Sequence, residues 1–483
     1  MMIKKKSLWK TVDWFTILLY VVMVAAGWFS IYSASFDIDN PQFFDFSGRP
    51  AIQLIWIGTS AILIFMILML DKNFFETFAY LFYGIIILLL IATIFLSPNI
   101  RGSHSWLVIT SSIRFQPAEF AKFATLLALA KYMNTHEFNL LKAKSFLTSA
   151  CIVLVPMFCV ILQREVGSAL VFLALILVFY REGMSGYVLL TSICAIVFFI
   201  LQLKYEYVMW NDTPVGEWIV EMIILLIILI LIRFVLKKPS IFNYFLVITA
   251  ITGMSAYIAS LFWEVNFAWV SMALNIGFSL YLILYAIRII NFQFILVALF
   301  ALLSIGYLYS VDFVFDEILE PHHQQRIKVA LGLVEDNLGD GYNVNQSIIA
   351  IGSGGFSGKG YLNGTQTKLK FLPEQDTDFI FCSVGEEFGF WGSTLLLLVY
   401  CIFLLRLLYI AERQDTSFGR VYGYGVVSIF FFHALINIGM VTGLTPVIGI
   451  PLPFFSYGGS SLLGFTILLF IYLRIDAGRK EEL

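Results

Sequence analysis

Three groups of residues in this 483-residue chain have types and spacing suited to chemistry. The first is Arg101-Gly102-Ser103-His104-Ser105-Trp106, followed by Arg114 and then Gln116-Pro117-Ala118-Glu119-Phe120-Ala121-Lys122. Arg101, Arg114 and Lys122 supply three cations, which suit a phosphate or diphosphate. Equally, Glu119 and Lys122 lie three apart on one helix and can neutralise each other, with Trp106 anchoring at the headgroups. The second group is Gly352-Ser353-Gly354-Gly355-Phe356-Ser357-Gly358-Lys359-Gly360. Ser357 stands at the third glycine of GxGxxG, and Gly360 stands where a P-loop needs Ser or Thr, so the segment reads as a tight outer loop with exposed backbone. The third is Phe371-Leu372-Pro373-Glu374-Gln375-Asp376-Thr377-Asp378, with Gly385-Glu386-Glu387 beyond it. A carboxylate at Asp378, where an outer loop enters an apolar run, is partly desolvated and suits a general base. The alternative is that Thr377 or Asp378 caps a helix. Glu386 and Glu387 lie roughly 12–13 Å farther along a helix, beyond the ~5–9.5 Å of paired glycosidase carboxylates. A two-carboxylate hydrolase on this helix is disfavoured. His322-His323 diverges on a helix, and no zinc or Cys/His catalytic signature is present.

The elements that must position these groups lie in lipid. Hydrophobic residues make up 60% of the chain and charged residues 13%, and the mean hydropathy is +0.88. A soluble protein could not hide so much apolar side chain. The apolar runs are unbroken over helix lengths, which argues against a β-barrel. The formal net charge of -2 gives no reason to expect nucleic acid. The expected fold is an all-α polytopic membrane bundle with spans near 14–32, 51–70, 74–96, 116–133, 146–162, 167–180, 187–203, 218–236, 241–262, 267–287, 292–310, 378–411, 421–441 and 457–473, about fourteen in all. The first run is too long for a signal peptide and counts as a span.

Lys4 to Lys10 place the N-terminus in the cytoplasm, and strict alternation puts Lys142, Lys144, Arg181, Lys237, Lys238, Arg288, Arg413, Arg420 and Arg474 to Lys480 on the same side. Both termini are then cytoplasmic. The segments 37–49, 97–114, 206–217 and 311–377 face out. The last is a loop of about 65 residues without obvious strands or helices, a length that usually signals a task. Gln163-Arg164-Glu165 and the prolines 446, 451 and 453 interrupt apolar runs. Such irregular backbone survives only inside protein or beside a wet cavity. Cys151, Cys159, Cys194 and Cys401 lie in apolar runs as packing residues.

At these residues the chain resembles the shape, elongation, division and sporulation family of peptidoglycan polymerases. The resemblance rests on Arg101-Gly102 with Trp106, on 115–122, Gln324-Gln325-Arg326-Ile327, 346–355 and Gly358-Lys359-Gly360, on Gly364-Thr365-Gln366, on 371–374 with 377–381, on 385–387, and on Pro451-Leu452-Pro453 with 456–460. Gly364-Thr365-Gln366 favours the elongation branch over the division branch. Two departures stand out. Gln163-Arg164-Glu165-Val166-Gly167-Ser168 replaces the usual Gln-Pro-Asp-Leu-Gly-Thr, and about 100 residues near 206–310 are extra. A ten-helix core with four inserted helices keeps the later loop outside. The corresponding divisions are 1–203, 204–310, 311–377 and 378–483.

The resemblance implies an inverting glycosyltransferase that polymerises lipid II at the outer face of the bacterial cytoplasmic membrane during elongation. It makes Asp378 the catalytic base and gives Arg101, Arg114 and Lys122 the donor diphosphate. Trp106 would take a sugar or the isoprenoid, and Glu119, Glu374 and Ser460 join the substrate-binding set. A divalent cation, Mg or Mn, would assist, with no organic cofactor. The partners are a class B penicillin-binding protein, the elongation machinery and membrane lipids. The competing readings are a flippase or transporter of the same lipid-linked precursor, using Glu386, Glu387 and the 163–165 break at membrane depth, and a scaffold that makes Asp378 dispensable.

Overall fold

Residues 8–36, 48–98, 103–108, 114–136, 138–319, 321–334, 340–369 and 372–482 are described in the computed structural model. They form two units, Met1–Met184 with Asn337–Leu483, and Ser185–Asp336. The first unit holds α1 Trp14–Ser35, α2 Arg49–Met69, α3 Ala79–Leu96, α4 Pro117–Met133, α5 Ala143–Leu162 and α6 Val166–Arg181. The second holds α7 Gly186–Lys204, α8 Val215–Val235, α9 Pro239–Ser260, α10 Phe267–Ile289, α11 Phe292–Phe313 and α12 Pro321–Ala330. The chain returns to the first unit with α13 Asp340–Ser353, α14 Ile380–Glu412, α15 Ser417–Val441 and α16 Gly459–Glu482.

Twelve of these helices are long and apolar enough to cross a membrane. The chain is therefore a multi-pass, mostly helical membrane protein. Of the expected spans, α4 and α6 fall outside that set. The first has 17 residues and carries Glu119, Lys122 and Lys131, and the second tightens into a 3-10 stretch over Val171–Leu175.

In the first unit α4 is the central strut. Every residue of it is buried except Lys131 and Tyr132, and it packs against α3, α5, α15 and α16. Alanines at 118, 121, 124, 128 and 130 let those neighbours approach closely, as small residues do where lipid gives helices no hydrophobic drive to associate. Pro117 opens α4, where its missing N–H costs nothing. Asp13 caps α1 by accepting from the Thr16 amide at 3.2 Å, and Arg406 of α14 donates to the same carboxylate.

The second unit packs Phe198 of α7, Val220, Ile224 and Ile228 of α8, Leu282 of α10 and Val297 and Ala301 of α11 into its own core. Asn266 and Asn291 cap α10 and α11, each accepting from an amide of the first turn.

The segment 311–377, read from sequence as a structureless loop, is partly helical. It carries α12, α13 and the short helix Thr365–Lys368. The sequence hid α13 because Gly341, Asn343 and Asn345 are poor helix formers. Packing on α14 and α15 makes it helical, with Val344, Ser347 and Ala350 buried.

Candidate functional site

The turn that precedes α4 and the head of that helix form one assembly. Strands β1 Leu107–Val108 and β2 Arg114–Phe115 pair antiparallel. Arg114 is exposed, Trp106 is half-buried with its backbone held on both sides by the Ser97 hydroxyl, and Arg101 lies outside the described residues. The Ser460 hydroxyl, at the start of α16, donates to the Arg114 carbonyl and accepts from the Gln116 amide, both at 3.3 Å. It therefore locks β2 to α4.

The break between α5 and α6 meets the same turn. Arg164 there takes a left-handed φ of 60°. The Gln163 carbonyl accepts from the His104 amide at 3.0 Å and the Ser103 hydroxyl at 3.2 Å. Glu165 accepts from the Gln116 side-chain amide, so the longer acid in the altered motif reaches the residue that precedes α4.

Lys122 is 2% exposed. Its ammonium donates to both Glu119 oxygens, at 2.8 and 2.9 Å, and to His433 Nε2 at 2.9 Å, over the Phe465 ring. His433 Nδ1 faces the Pro451 carbonyl at 3.1 Å. A carbonyl only accepts, so Nδ1 carries the proton and Nε2 is the acceptor for Lys122. All three ammonium donors are engaged. The structure thus separates two of the expected cations, with Lys122 inside and Arg114 at the surface.

Asp378 is half-exposed at the entry to α14. Phe379 is the N-cap and makes no side-chain cap, while the Thr377 hydroxyl turns back to Glu374. Glu374 sits at φ 55°, and its carbonyl accepts from the Thr377 and Phe379 amides, a tight turn that presents Asp378. Asn437 of α15 donates to the Asp378 carbonyl and to the Ile450 carbonyl, both at 2.8 Å. Gly449, at φ 75°, brings its backbone close to the Asp378 carboxylate: a Cβ there would lie 3.2 Å from Oδ2.

Sequence reasoning missed Arg49. Its guanidinium holds both oxygens of buried Asp376 at 2.5 Å and lies over the Tyr457 ring. The Asp376 carbonyl accepts from the Tyr457 amide at 2.8 Å. An arginine at the start of a span whose expected side is opposite the cytoplasmic bias of Lys and Arg was the available signal. Arg49 thus anchors the residue two before Asp378.

The glycine-rich loop is a backbone clasp. Gly389, at φ 62° and ψ -153°, breaks α14 and frees carbonyls before it and amides after it. The Lys359 and Gly360 amides donate to the Glu386 and Glu387 carbonyls at 3.0 and 2.9 Å, and the Phe390 amide donates to the Gly355 carbonyl at 2.9 Å. A Cβ on Gly354 or Gly358 would collide with this backbone. The Glu386 carboxylate accepts from Lys359 at 2.7 Å and from the Gln366 and Thr367 amides, both at 2.9 Å, while Glu387 accepts from the Leu362 amide and from Ser33. These two acids hold the loop.

A family model for the FtsW, RodA and SpoVE cell cycle proteins matches residues 13–219 and 220–481. Peptidoglycan glycosyltransferase RodA of Treponema pallidum is 29% identical over 471 residues, 96% of this chain and 97% of that protein. Peptidoglycan glycosyltransferase MrdB of Escherichia coli is 48% identical over 159 residues, 32% of this chain and 43% of its own length. The rod shape determining protein RodA of Thermus thermophilus has the same fold, with a TM-score of 0.54 at 21% identity over 96% of both chains. So does a chain of a peptidoglycan synthase complex that coordinates polymerization and crosslinking, with a TM-score of 0.59 at 21% identity over 97% of this chain and 98% of that one. A family match that runs from residue 13 to residue 481, on a fold shared with solved relatives, means that this chain belongs to the FtsW/RodA/SpoVE family of cell cycle proteins.

Proposed function

We propose that this chain is a peptidoglycan glycosyltransferase of the elongation type, which joins lipid II units into glycan strands at the outer face of the cytoplasmic membrane. The observation that carries the reading is Asp378, a half-exposed carboxylate on a turn fixed by Asn437, Gly449 and the Arg49–Asp376 pair. Asp378 takes the proton from the acceptor hydroxyl as its oxygen bonds to the donor's anomeric carbon. The bond from that carbon to the diphosphate oxygen breaks with inversion, and the lipid diphosphate leaves. Arg114 meets its charge from the turn before α4, Arg101 is assigned the same role by the family resemblance alone, Trp106 packs on sugar or isoprenoid, and Lys122 acts from behind the site through Glu119 and His433. Fixed positioning of this kind is where most of the rate gain arises.

Among the described residues no three of His, Cys, Asp or Glu converge to hold a metal. The reading therefore gives no step to a protein-held cation, and a divalent cation would arrive with the diphosphate. A class B penicillin-binding protein is the partner that cross-links the strands.

The test is to purify the full chain and its Asp378→Asn variant, supply lipid II, a divalent cation and the cognate transpeptidase, and resolve glycan ladders. Ladders from the parent alone, with both proteins folded and partnered, support the base. Equal ladders remove Asp378 from catalysis, and none from either turns the reading toward a flippase or scaffold. The flippase reading is weakened by the engagement of Glu386 and Glu387 in the loop clasp.

A further inference from the structure

The second unit carries a polar pair that the polymerase chemistry does not use. Glu221 of α8 and Asn275 of α10 are both 0% exposed. The Asn275 amide nitrogen donates to Glu221 Oε2 at 2.6 Å and to the Glu221 carbonyl at 2.9 Å. Because a backbone carbonyl only accepts, that second bond fixes which way round the amide lies. Two atoms of the pair then have no partner, Glu221 Oε1 and Asn275 Oδ1. Both are acceptors, and each belongs to a group already bonded to the other.

Buried acceptors need a donor or a cation. Glu221 lies about 9 Å along α8 from its first residue at ~1.5 Å per residue. It forms no ion pair with a described residue. Tyr309 of α11 hydrogen-bonds Glu217, one turn nearer the start of the helix, and is also within electrostatic reach of Glu221. From α7, Gln202 reaches the Gly216 end of α8, and from α10 the neighbours along the face are Ser271 and Ser279, each bonded to its own helix. No Lys, Arg or His is among these groups. Two free oxygens also fall well short of the six or more that a hard divalent cation takes.

We propose that Glu221 and Asn275 form an intramembrane proton-binding site. Glu221 holds a proton on Oε1 and donates it to Asn275 Oδ1, while the Asn275 amide donates to Oε2. One proton satisfies both orphan acceptors, closes an acid–amide ring between α8 and α10, and leaves no charge in the bilayer. The ring holds two helices of the second unit together only while the proton is bound.

The test uses the full chain in lipid nanodiscs with dicyclohexylcarbodiimide, which adds to a protonated carboxyl in an apolar setting to give a stable N-acylurea. The expected result is adduct on the peptide containing Glu221, absent in Glu221→Gln, and falling about tenfold per pH unit above the midpoint of the site. Difference infrared spectra should show a protonated-carboxyl stretch that Glu221→Gln removes and Asn275→Ala shifts to higher frequency, as the acid loses its acceptor. Absence of both adduct and band overturns the proposal, as does a band that Asn275→Ala leaves in place. Protection from the reagent by sodium or potassium ions overturns it in favour of a monovalent cation site.

Discussion

His433 and Asn437 stand one turn apart on α15, and each holds a different half of the site. His433 accepts from Lys122 at 2.9 Å, and Asn437 donates to the Asp378 carbonyl at 2.8 Å. The same two side chains hold the consecutive carbonyls of Pro451 and Ile450. A spacing of about 6 Å along the helix therefore ties the buried cation, the candidate base and the irregular 442–458 segment to one rigid face.

Asn437→Ala removes two donors from buried carbonyls and frees the Asp378 turn. Polymerisation should fall about 100-fold through kcat, with KM nearly unchanged, since a displacement near 1 Å costs that much. Asn437→Asp cannot donate and should not rescue. Full activity in either variant, read from glycan ladders, would remove the positioning role.

Lys122→Met leaves Glu119 charged and unpartnered inside the bundle, and should cost about 3–5 kcal/mol. Glu119→Gln with Lys122→Met should recover most of that stability in detergent melting curves. The double variant then separates two roles: recovered ladders make Lys122 structural, whereas a stable but inactive protein makes it part of diphosphate stabilisation.

Gly389→Ala places a side chain at a φ of 62° with backbone of the glycine-rich loop against it. Strain of about 1–3 kcal/mol adds to that clash, and the clasp should open. Hydrogen exchange at the Lys359 and Gly360 amides should accelerate, and unchanged protection would show that the bridge to α14 does not carry the loop.

Asp13 gives the pH prediction. Burial alone would raise its carboxyl, but the Arg406 guanidinium and the Thr16 donors bring it below its ordinary value of 3.8. The folded value lies under the unfolded one, so the contribution is complete above about 3.9 and is lost as pH falls through the folded value. Asp13→Asn should melt below the parent at neutral pH, and the gap should close in acid. A gap independent of pH would count against the pair.

How much of this was legible follows from which groups did the work. Apolar runs marked α1 to α3, α5, α7 to α11, α14 and α15 to within about five residues, because length and hydropathy suffice for a span, whereas α16 runs on to Glu482, well past the expected end at 473. The turn at Asp378 was legible as a carboxylate at a membrane entry. The partners were not: Arg49 and Asp376 are 327 residues apart, and Lys122 and His433 are 311 apart, so no local pattern joins them. The clasp was hidden for another reason. Its bonds run between backbone atoms of 355–360 and 386–390, and a sequence records only that glycines permit such an approach.

The burial of α4 bears on how the protein is made. The most central helix of the first unit is also one that lipid resists, since its 17 residues carry Glu119, Lys122 and Lys131 and ionisable side chains within a span are costly. Glu119 and Lys122 pair within α4 itself, but the third ammonium donor and the packing over it are completed by His433 of α15 and Phe465 of α16, and both arrive about 300 residues later in synthesis. Until then α4 has to wait in the translocon or at the interface beside α3 and α5. A chain stopped after α6 should leave α4 reachable by a water-soluble thiol reagent at Cys-substituted Ala124, and the full chain should protect it. Equal labelling in both would mean that α4 enters the bilayer unaided.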